Sequence, residues 1–356
     1  MDISKKLIFS PELNNSITKK VGEIEKFQGK WEALKISESD FLKELRHIAT
    51  IQSIGSSTRI EGSQLRDDDI RKLINELEIT ELETRDEQEV IGYWETLELL
   101  LINADSIELS QRYILQLHGS LLKYSSKDER QRGLYKNQSN KVVATYPDGS
   151  QKTIFNTTEP HLVQKEMNDI ILWANNSLNE KNINPLVVIG TFVYEFLSIH
   201  PFHDGNGRLS RLLTTLLLLK EKYYFVQYVS FEHIIEKRKK EYYKALMDCQ
   251  KDRYTVKENV GIWISFFLDC IIELSKQLEE KLIRITNNDV YINDRQKKIV
   301  ALILSKGKLR TADIHKEIPD ASLPTIKKDL KKLLDENIIS KEGIGRSTTY
   351  MKTNER

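Results

Sequence analysis

The sequence predicts a mainly α protein: a helical body interrupted by one short β-hairpin, followed by a small module of three helices and a second hairpin. Three observations carry that expectation. Apolar residues recur at helical spacing through most of the chain up to residue 286. Proline is scarce, seven residues in 356. Runs that read as strands, with turn residues between them, fall in two places, 141–155 and 338–350.

The elements follow in order. Leu42, Leu45, Ile48, Ala49 and the run Ile51 to Ile54 form an apolar stripe that leads into Glu61. Val90, Tyr93, Trp94, Leu97 and Leu100 form a second. Val142–Thr145 and Lys152–Phe155 read as two short strands, joined by the turn residues Pro147, Asp148 and Gly149. Leu162, Val163, Met167, Ile170, Ile171 and Trp173 give a third helical stripe. Pro185–Ile199 is almost wholly apolar and has no breaker after Pro185, a residue suited to a first helical turn. Leu212–Leu219 is a second such run, and a long amphipathic helix is expected at about 258–284. Beyond a polar boundary near Asn287, helices are expected from Asp294, Thr311 and Ser322, then a glycine-turned hairpin up to Tyr350.

Length suits two or three domains. Net charge is +1, but residues 290–356 hold 15 Lys and Arg against 9 Asp and Glu. Lys237–Lys240 reads as a solvated helix face. Two cysteines, Cys249 and Cys270, exclude a disulfide framework and lack metal-ligand spacing. No apolar run is long enough for a secretory signal or a membrane span, so a cytoplasmic location and no membrane partner are expected.

Between the two apolar helices lies His200-Pro201-Phe202-His203-Asp204-Gly205-Asn206-Gly207-Arg208-Leu209-Ser210-Arg211. Its residue types suit a polyphosphate. His200 can accept a proton near neutral pH. Asp204 can hold a hard cation through oxygen. Gly205 and Gly207 let backbone N–H groups face an anion. Arg208 and Arg211 can fork onto phosphate oxygens. The following helix turns its free N–H groups and positive end toward the loop.

This string resembles the Fic family signature, HPFx(D/E)GNGRxxR, at every fixed position. The resemblance implies a Fic-type helical bundle that transfers AMP from MgATP to a Ser, Thr or Tyr hydroxyl of a target protein, self-modification included. It implies His200 as general base, Asp204 as Mg²⁺ ligand, Gly205, Asn206 and Gly207 around the α-phosphate, and Arg208 and Arg211 on the outer phosphates. Ser57-Thr58-Arg59-Ile60-Glu61-Gly62 resembles the family's inhibitory pattern, (S/T)xxxE(G/N), with Glu61 pairing Arg211; a helix-end glutamate before a capping glycine is the plainer reading.

The 141–155 hairpin resembles the family's flap, which aligns a target segment by strand pairing. Tyr135-Lys136 stands where the family usually has Tyr-Arg. Residues 234–243 resemble the segment near the adenine, with Tyr243 a candidate nucleotide contact and Tyr242 and Tyr243 equally readable as packing residues. The domains expected are 1–105 with the inhibitory helix, 106–286 as catalytic core, and 290–356.

The last module resembles a winged helix-turn-helix. DNA binding would then run through Lys327, Lys328, Lys331 and Lys332 on its third helix and Arg346 in the wing. Rival readings are another nucleotide donor, removal of AMP, or a DNA-binding regulator whose Fic part senses nucleotide. A homodimer through the surroundings of Trp94 or Trp263 is a further option.

Overall fold

The computed structural model describes residues 3–34, 40–77, 82–145, 151–286, 294–319, 321–335, 338–343, 345 and 348–353. The chain divides into two compact units, 1–280 and 281–356.

The first unit is built from eleven helices and one hairpin among the described residues. Helix α1 (Pro11–Ala33) starts on Ser10, whose hydroxyl accepts from the Leu13 N–H at 3.3 Å, with proline in its first turn. Next come α2 (Asp40–Ile60) and α3 (Asp67–Asn75), the latter with three aspartates at its positive end. Helix α4 (Arg85–Asn103) opens on a capping box between Thr84 and Glu87, and α5 (Gln111–Leu121) on Ser110. Strands β1 (Lys141–Thr145) and β2 (Gln151–Asn156) pair antiparallel with a bulge after Val142. The expected turn at Pro147–Gly149 lies outside the described residues.

Helices α6 (Pro160–Glu180), α7 (Pro185–Ile199) and α8 (Asn206–Lys220) follow. Every residue of α7 from Leu186 to Ile199 is buried, as is α8 from Arg208 to Leu219. Two helices apolar almost all round can be stable in water when others enclose them. Helices α9 (Phe231–Lys237), α10 (Lys239–Gln250) and α11 (Gly261–Thr286) take part in that enclosure. Trp263 is buried in this core and donates to the Gly190 carbonyl at 2.8 Å, so it offers no surface to a second copy.

A buried ionic cluster ties the N-terminal segment to α7. Lys6 meets Glu195 at 2.6 Å and Glu258 at 2.8 Å, and Arg253 meets Glu195 at 3.1 Å. Charges this deep are tolerable because each carboxylate faces a cation.

The second unit contains α12 (Asp294–Lys306), β3 (Leu309–Arg310), α13 (Thr311–Glu317), α14 (Leu323–Asp335), β4 (Ile339–Glu342) and β5 (Thr349–Lys352). The strands form an antiparallel sheet in the order β3-β5-β4. The short strand β3, two residues long, is too brief to leave a sequence pattern. Ile299, Ile314, Ile326, Leu330 and Leu333 form the core. Lys327, Lys328 and Lys331 are exposed on α14 and Lys332 is partly buried; Arg346 lies outside the described residues. Among the described residues, no helix is long and apolar enough to cross a membrane.

Candidate active site

The loop between α7 and α8 is held in a conformation few residues adopt. His200 caps α7 with φ 50° and ψ 64°, a left-handed geometry that costs a non-glycine residue free energy and persists where surroundings enforce it. Gly205, at φ 78°, starts α8 and offers no side-chain cap. The first-turn N–H groups of α8 are therefore left to other acceptors.

Asn206 pins the loop to itself: its Oδ1 accepts from the Phe202 N–H at 2.9 Å and its Nδ2 donates to the Phe202 carbonyl at 2.8 Å. The buried Phe202 ring stacks on His118 at 3.7 Å. His118 accepts from the Gly133 N–H at 3.0 Å and reaches the Asp204 carbonyl at 3.1 Å, and burial pushes its pKa down to about 4. The Lys136 N–H donates to the Pro201 carbonyl at 2.8 Å. His200 itself is held to about 4, first by its desolvation and then by the Lys136 ammonium, so it is neutral at pH 7. Its Nδ1 faces the side-chain amides of Asn140 and Asn206, each at 3.2 Å.

Asp204 and Arg208 belong to a four-member ring of charges with Arg85 and Glu89 of α4. Arg85 Nε donates to Glu89 at 2.6 Å and Nη2 to Asp204 Oδ2 at 3.0 Å; Arg208 meets Asp204 Oδ1 at 2.9 Å and Glu89 Oε2 at 3.1 Å. Burial works against ionising Asp204, but Arg208, the Gly205 N–H and Arg85 together hold its pKa below the ordinary value. Arg208 is 1% exposed, and its Nε finds no hydrogen-bond acceptor among the described residues. A buried donor of that kind is suited to an incoming anion.

Arg211 faces the end of α2. Its Nε donates to the Ser57 hydroxyl at 2.8 Å, and its Nη2 to the Ser57 carbonyl at 3.0 Å and to Glu61 Oε1 at 2.8 Å. Burial opposes the charge on Arg211, but the Glu61 carboxylate keeps its pKa above the ordinary value. The Glu61 carboxylate also lies against Gly207, within the first turn of α8. Gly62 follows at φ 114°, where glycine is favoured, and lets the chain turn away. Lys239 donates to the Ile60 carbonyl at 2.7 Å, and Arg59 binds Glu236 at 2.7 Å and Asp67 at 2.9 Å, so the end of α2 is firmly seated.

His200, Asp204, Gly205, Asn206, Gly207, Arg208 and Arg211 are thus brought together with Ser57, Glu61 and Gly62. Tyr243 stands on α10 with its ring edge-on to the buried Tyr242 at 5.2 Å, and burial, then Glu61, push its hydroxyl pKa up. Tyr242 packs on Trp263 and Phe266. The expected solvated face at Lys237–Lys240 is corrected: Lys239 caps α2 and Arg238 binds Glu241 at 2.6 Å, while Lys237 and Lys240 are exposed. Among the described residues, no three His, Cys, Asp or Glu side chains gather as a metal site. Sequence reading missed Arg85, Glu89 and Asn140 and gave no role to His118 or Lys136. The capping box before Arg85 and the tyrosine–lysine pair at 135–136 were the available signals.

Residues 108–218 match the model of the Fic/DOC family. The chain is similar to protein adenylyltransferase fic-1 of Caenorhabditis elegans, with 28% identity over 139 residues, 38% of this chain and 25% of that protein. It is 33% identical over 95 residues to a Fido domain-containing protein of Dictyostelium discoideum, 27% of this chain and 61% of that protein. It is 28% identical over 206 residues to protein adenylyltransferase Fic of Drosophila sechellia, 56% of this chain and 39% of that protein. The chain therefore spans between a quarter and three fifths of the length of these curated relatives.

In fold, it is similar to the crystal structure of a Fic family protein from Desulfovibrio desulfuricans G20, at TM-score 0.66 and 21% identity, covering 99% of this chain and 98% of that one. It is similar also to Fic-1 from C. elegans, at TM-score 0.60 and 19% identity, covering 76% and 74%. The match to the Fic/DOC family model begins just before α5 and ends within α8, so it takes in α7 and the whole 200–211 loop.

Proposed function

We propose that this protein transfers AMP from MgATP to a hydroxyl side chain of a target protein, and that Glu61 restrains it. The observation that carries the reading is the position of the Glu61 carboxylate: an anion bound by Arg211 against the first turn of α8, on the loop that bears His200. A place that seats a carboxylate between a guanidinium and a helix N-terminus suits a phosphate equally well. The adenylyltransferase names of the relatives support the same class of reaction.

In this reading the target hydroxyl oxygen attacks the α-phosphorus. The new O–P bond forms as the bond from that phosphorus to the β-bridging oxygen breaks, and pyrophosphate leaves. The hydroxyl proton passes to His200. The α8 N–H groups, Arg208 and Arg211 hold the phosphate charge that shifts during the displacement. Asp204 fits a hard cation, being an ionised, partly exposed carboxylate of the kind that binds Mg²⁺ together with substrate phosphates, where the cation would take the place of Arg85 on Oδ2. Bound there, Mg²⁺ would neutralise charge on the phosphate oxygens. Glu61 holds Arg211 away from the outermost phosphate and leaves ATP poorly placed for in-line attack. Tyr243 flanks the adenine, and the β1–β2 hairpin pairs with the target segment.

The test is incorporation of α-labelled ATP into protein by the wild type, Glu61→Gly, and Glu61→Gly with His200→Ala. Labelling should rise in the single variant and vanish in the double. Failure of every form to label itself or lysate proteins would sink the reading, and competition with other nucleotides tests the donor.

A second reading concerns the C-terminal unit alone. Its helix–strand–helix–helix–strand–strand order supports a winged helix-turn-helix, and exposed Lys327, Lys328 and Lys331 on α14 favour contact with DNA phosphates. Binding to duplex DNA that weakens steeply with salt, and is lost in Lys327→Ala/Lys331→Ala, is the expected result. Binding unchanged in that variant would refute it.

A further inference from the structure

Lys136 is a buried cation without a carboxylate in ion-pair contact among the described residues. Its residue is 3% exposed, and its ammonium donates to neutral oxygens: Asn140 Oδ1 at 2.8 Å, Thr157 Oγ1 at 2.6 Å and the Ile199 carbonyl at 3.2 Å. Burying a charge against neutral acceptors is costly, so its effect on those acceptors is of interest. An ammonium has no lone pair, and it therefore fixes the orientation of the Asn140 amide. With Oδ1 turned to Lys136 and to the Thr157 hydroxyl at 2.6 Å, Nδ2 must face the other way. There it donates to the Phe202 carbonyl at 2.9 Å and meets His200 Nδ1 at 3.2 Å.

Asn206 is fixed in the same sense by the Phe202 backbone, and its Nδ2 meets the same His200 nitrogen at 3.2 Å. Two N–H donors facing Nδ1 require a lone pair there. In the neutral ring the proton must then sit on Nε2.

We propose that Lys136 is a positioning residue that, through Asn140, holds the resting His200 ring in its Nε2–H tautomer. This inference rests on the reading of His200 as the base. A ring protonated at Nε2 has no lone pair there to accept a hydroxyl proton. Productive transfer therefore requires the Nε2–H bond to break and an Nδ1–H bond to form, with solvent carrying the proton and no net change in charge. Rotation of the Asn140 amide would present Oδ1 to Nδ1–H and leave Asn206 as the one donor against it, which shifts the ring toward the base-competent tautomer, and the Lys136 ammonium opposes that rotation. The device thus makes the state of Asn140 a second condition for activity, separate from Glu61.

The experiment is long-range ¹H–¹⁵N spectroscopy of the full chain labelled at histidine nitrogens, with His200 assigned from His200→Gln. In the wild type, Nδ1 of His200 should resonate as unprotonated and Nε2 as protonated. In Lys136→Met the Nδ1 resonance should move toward the protonated range, and Lys136→Arg, which keeps a cation on Asn140 Oδ1, should restore the wild-type pattern. His118, fixed by Gly133 and Asp204, serves as the internal reference for an intact loop. A wild-type His200 already protonated at Nδ1 would overturn the proposal. So would Lys136→Met with His118 intact and His200 unchanged.

Should Lys136→Met disturb His118 as well, Asn140→Asp takes its place. A carboxylate oxygen facing Nδ1 should draw a proton onto that nitrogen, and a ring that keeps Nδ1 unprotonated overturns the proposal. These spectra need no turnover, so they are decided independently of whether label incorporation shows AMP transfer.

Discussion

Glu61 and Gly207 are in such close approach that any side-chain carbon at 207 would collide with Glu61 Oε1, the same oxygen that accepts from Arg211 at 2.8 Å. Glycine at 207 is therefore what lets a carboxylate reach the first turn of α8. Replacing Glu61 by glycine should open that place to a phosphate. A non-hydrolysable ATP analogue should bind Glu61→Gly about tenfold more tightly, or about 1.4 kcal/mol, by calorimetry. Equal affinities would show that the carboxylate and the nucleotide do not compete.

The same variant should be less stable. Arg211 is 3% exposed and keeps both Ser57 contacts, while Glu61 is partly exposed, so loss of the pair should cost about 1–2 kcal/mol. Urea unfolding measures it, and a variant as stable as the wild type or more so would show that the Glu61–Arg211 pair does not support the fold.

Arg85 and Asp204 lead to a prediction on cation binding. Removing Arg85, whose side chain is 55% exposed, withdraws a positive charge from Asp204 Oδ2. Arg85→Ala should lower the Mn²⁺ concentration for half-saturation, read by electron paramagnetic resonance, about two- to fivefold. A weaker response to Mn²⁺ would instead make Arg85 part of the binding site.

Acid should destabilise the fold through His118 and His200. Both have pKa values of about 4, below their ordinary 6.5. The unfolded chain therefore binds more protons between pH 6.5 and 4, and stability falls as pH drops through that window. Each group contributes a slope of up to about 1.4 kcal/mol per pH unit. The loss between about pH 7 and 5 should be smaller in His118→Gln than in the wild type; equal losses would contradict the burial of that ring.

Lys6 is predicted to matter out of proportion to its distance from the loop. Lys6→Met leaves Glu195, wholly buried, and Glu258 with Arg253 as their common cation. Stability should drop by about 3 kcal/mol in urea unfolding, and a loss under 1 kcal/mol would show that Arg253 neutralises the cluster alone.

Much of this molecule is written locally. The helices at α7 and α8 follow from apolar runs that cannot remain in water, and Gly205 and Gly207 follow from the need for backbone to approach an anion. Glu61 and Arg211 are 150 positions apart, yet each lay within a recognisable local pattern, and the structure joins them. The residues that hold the loop did not have that advantage. Arg85 meets Asp204 across 119 positions, and Asn140 meets His200 across 60.

The amino-acid sequence by itself determined the helical class, the two apolar helices around the 200–211 loop and the chemical groups on that loop, because periodicity and short motifs are properties of neighbouring residues. Tertiary structure decided which partners those groups have. The ring of Arg85, Glu89, Arg208 and Asp204, the stack of Phe202 on His118, and the Lys136–Asn140–His200 chain each arise where separate helices and loops converge. Such contacts depend on distance and burial in the folded chain, and no periodicity in the sequence encodes them.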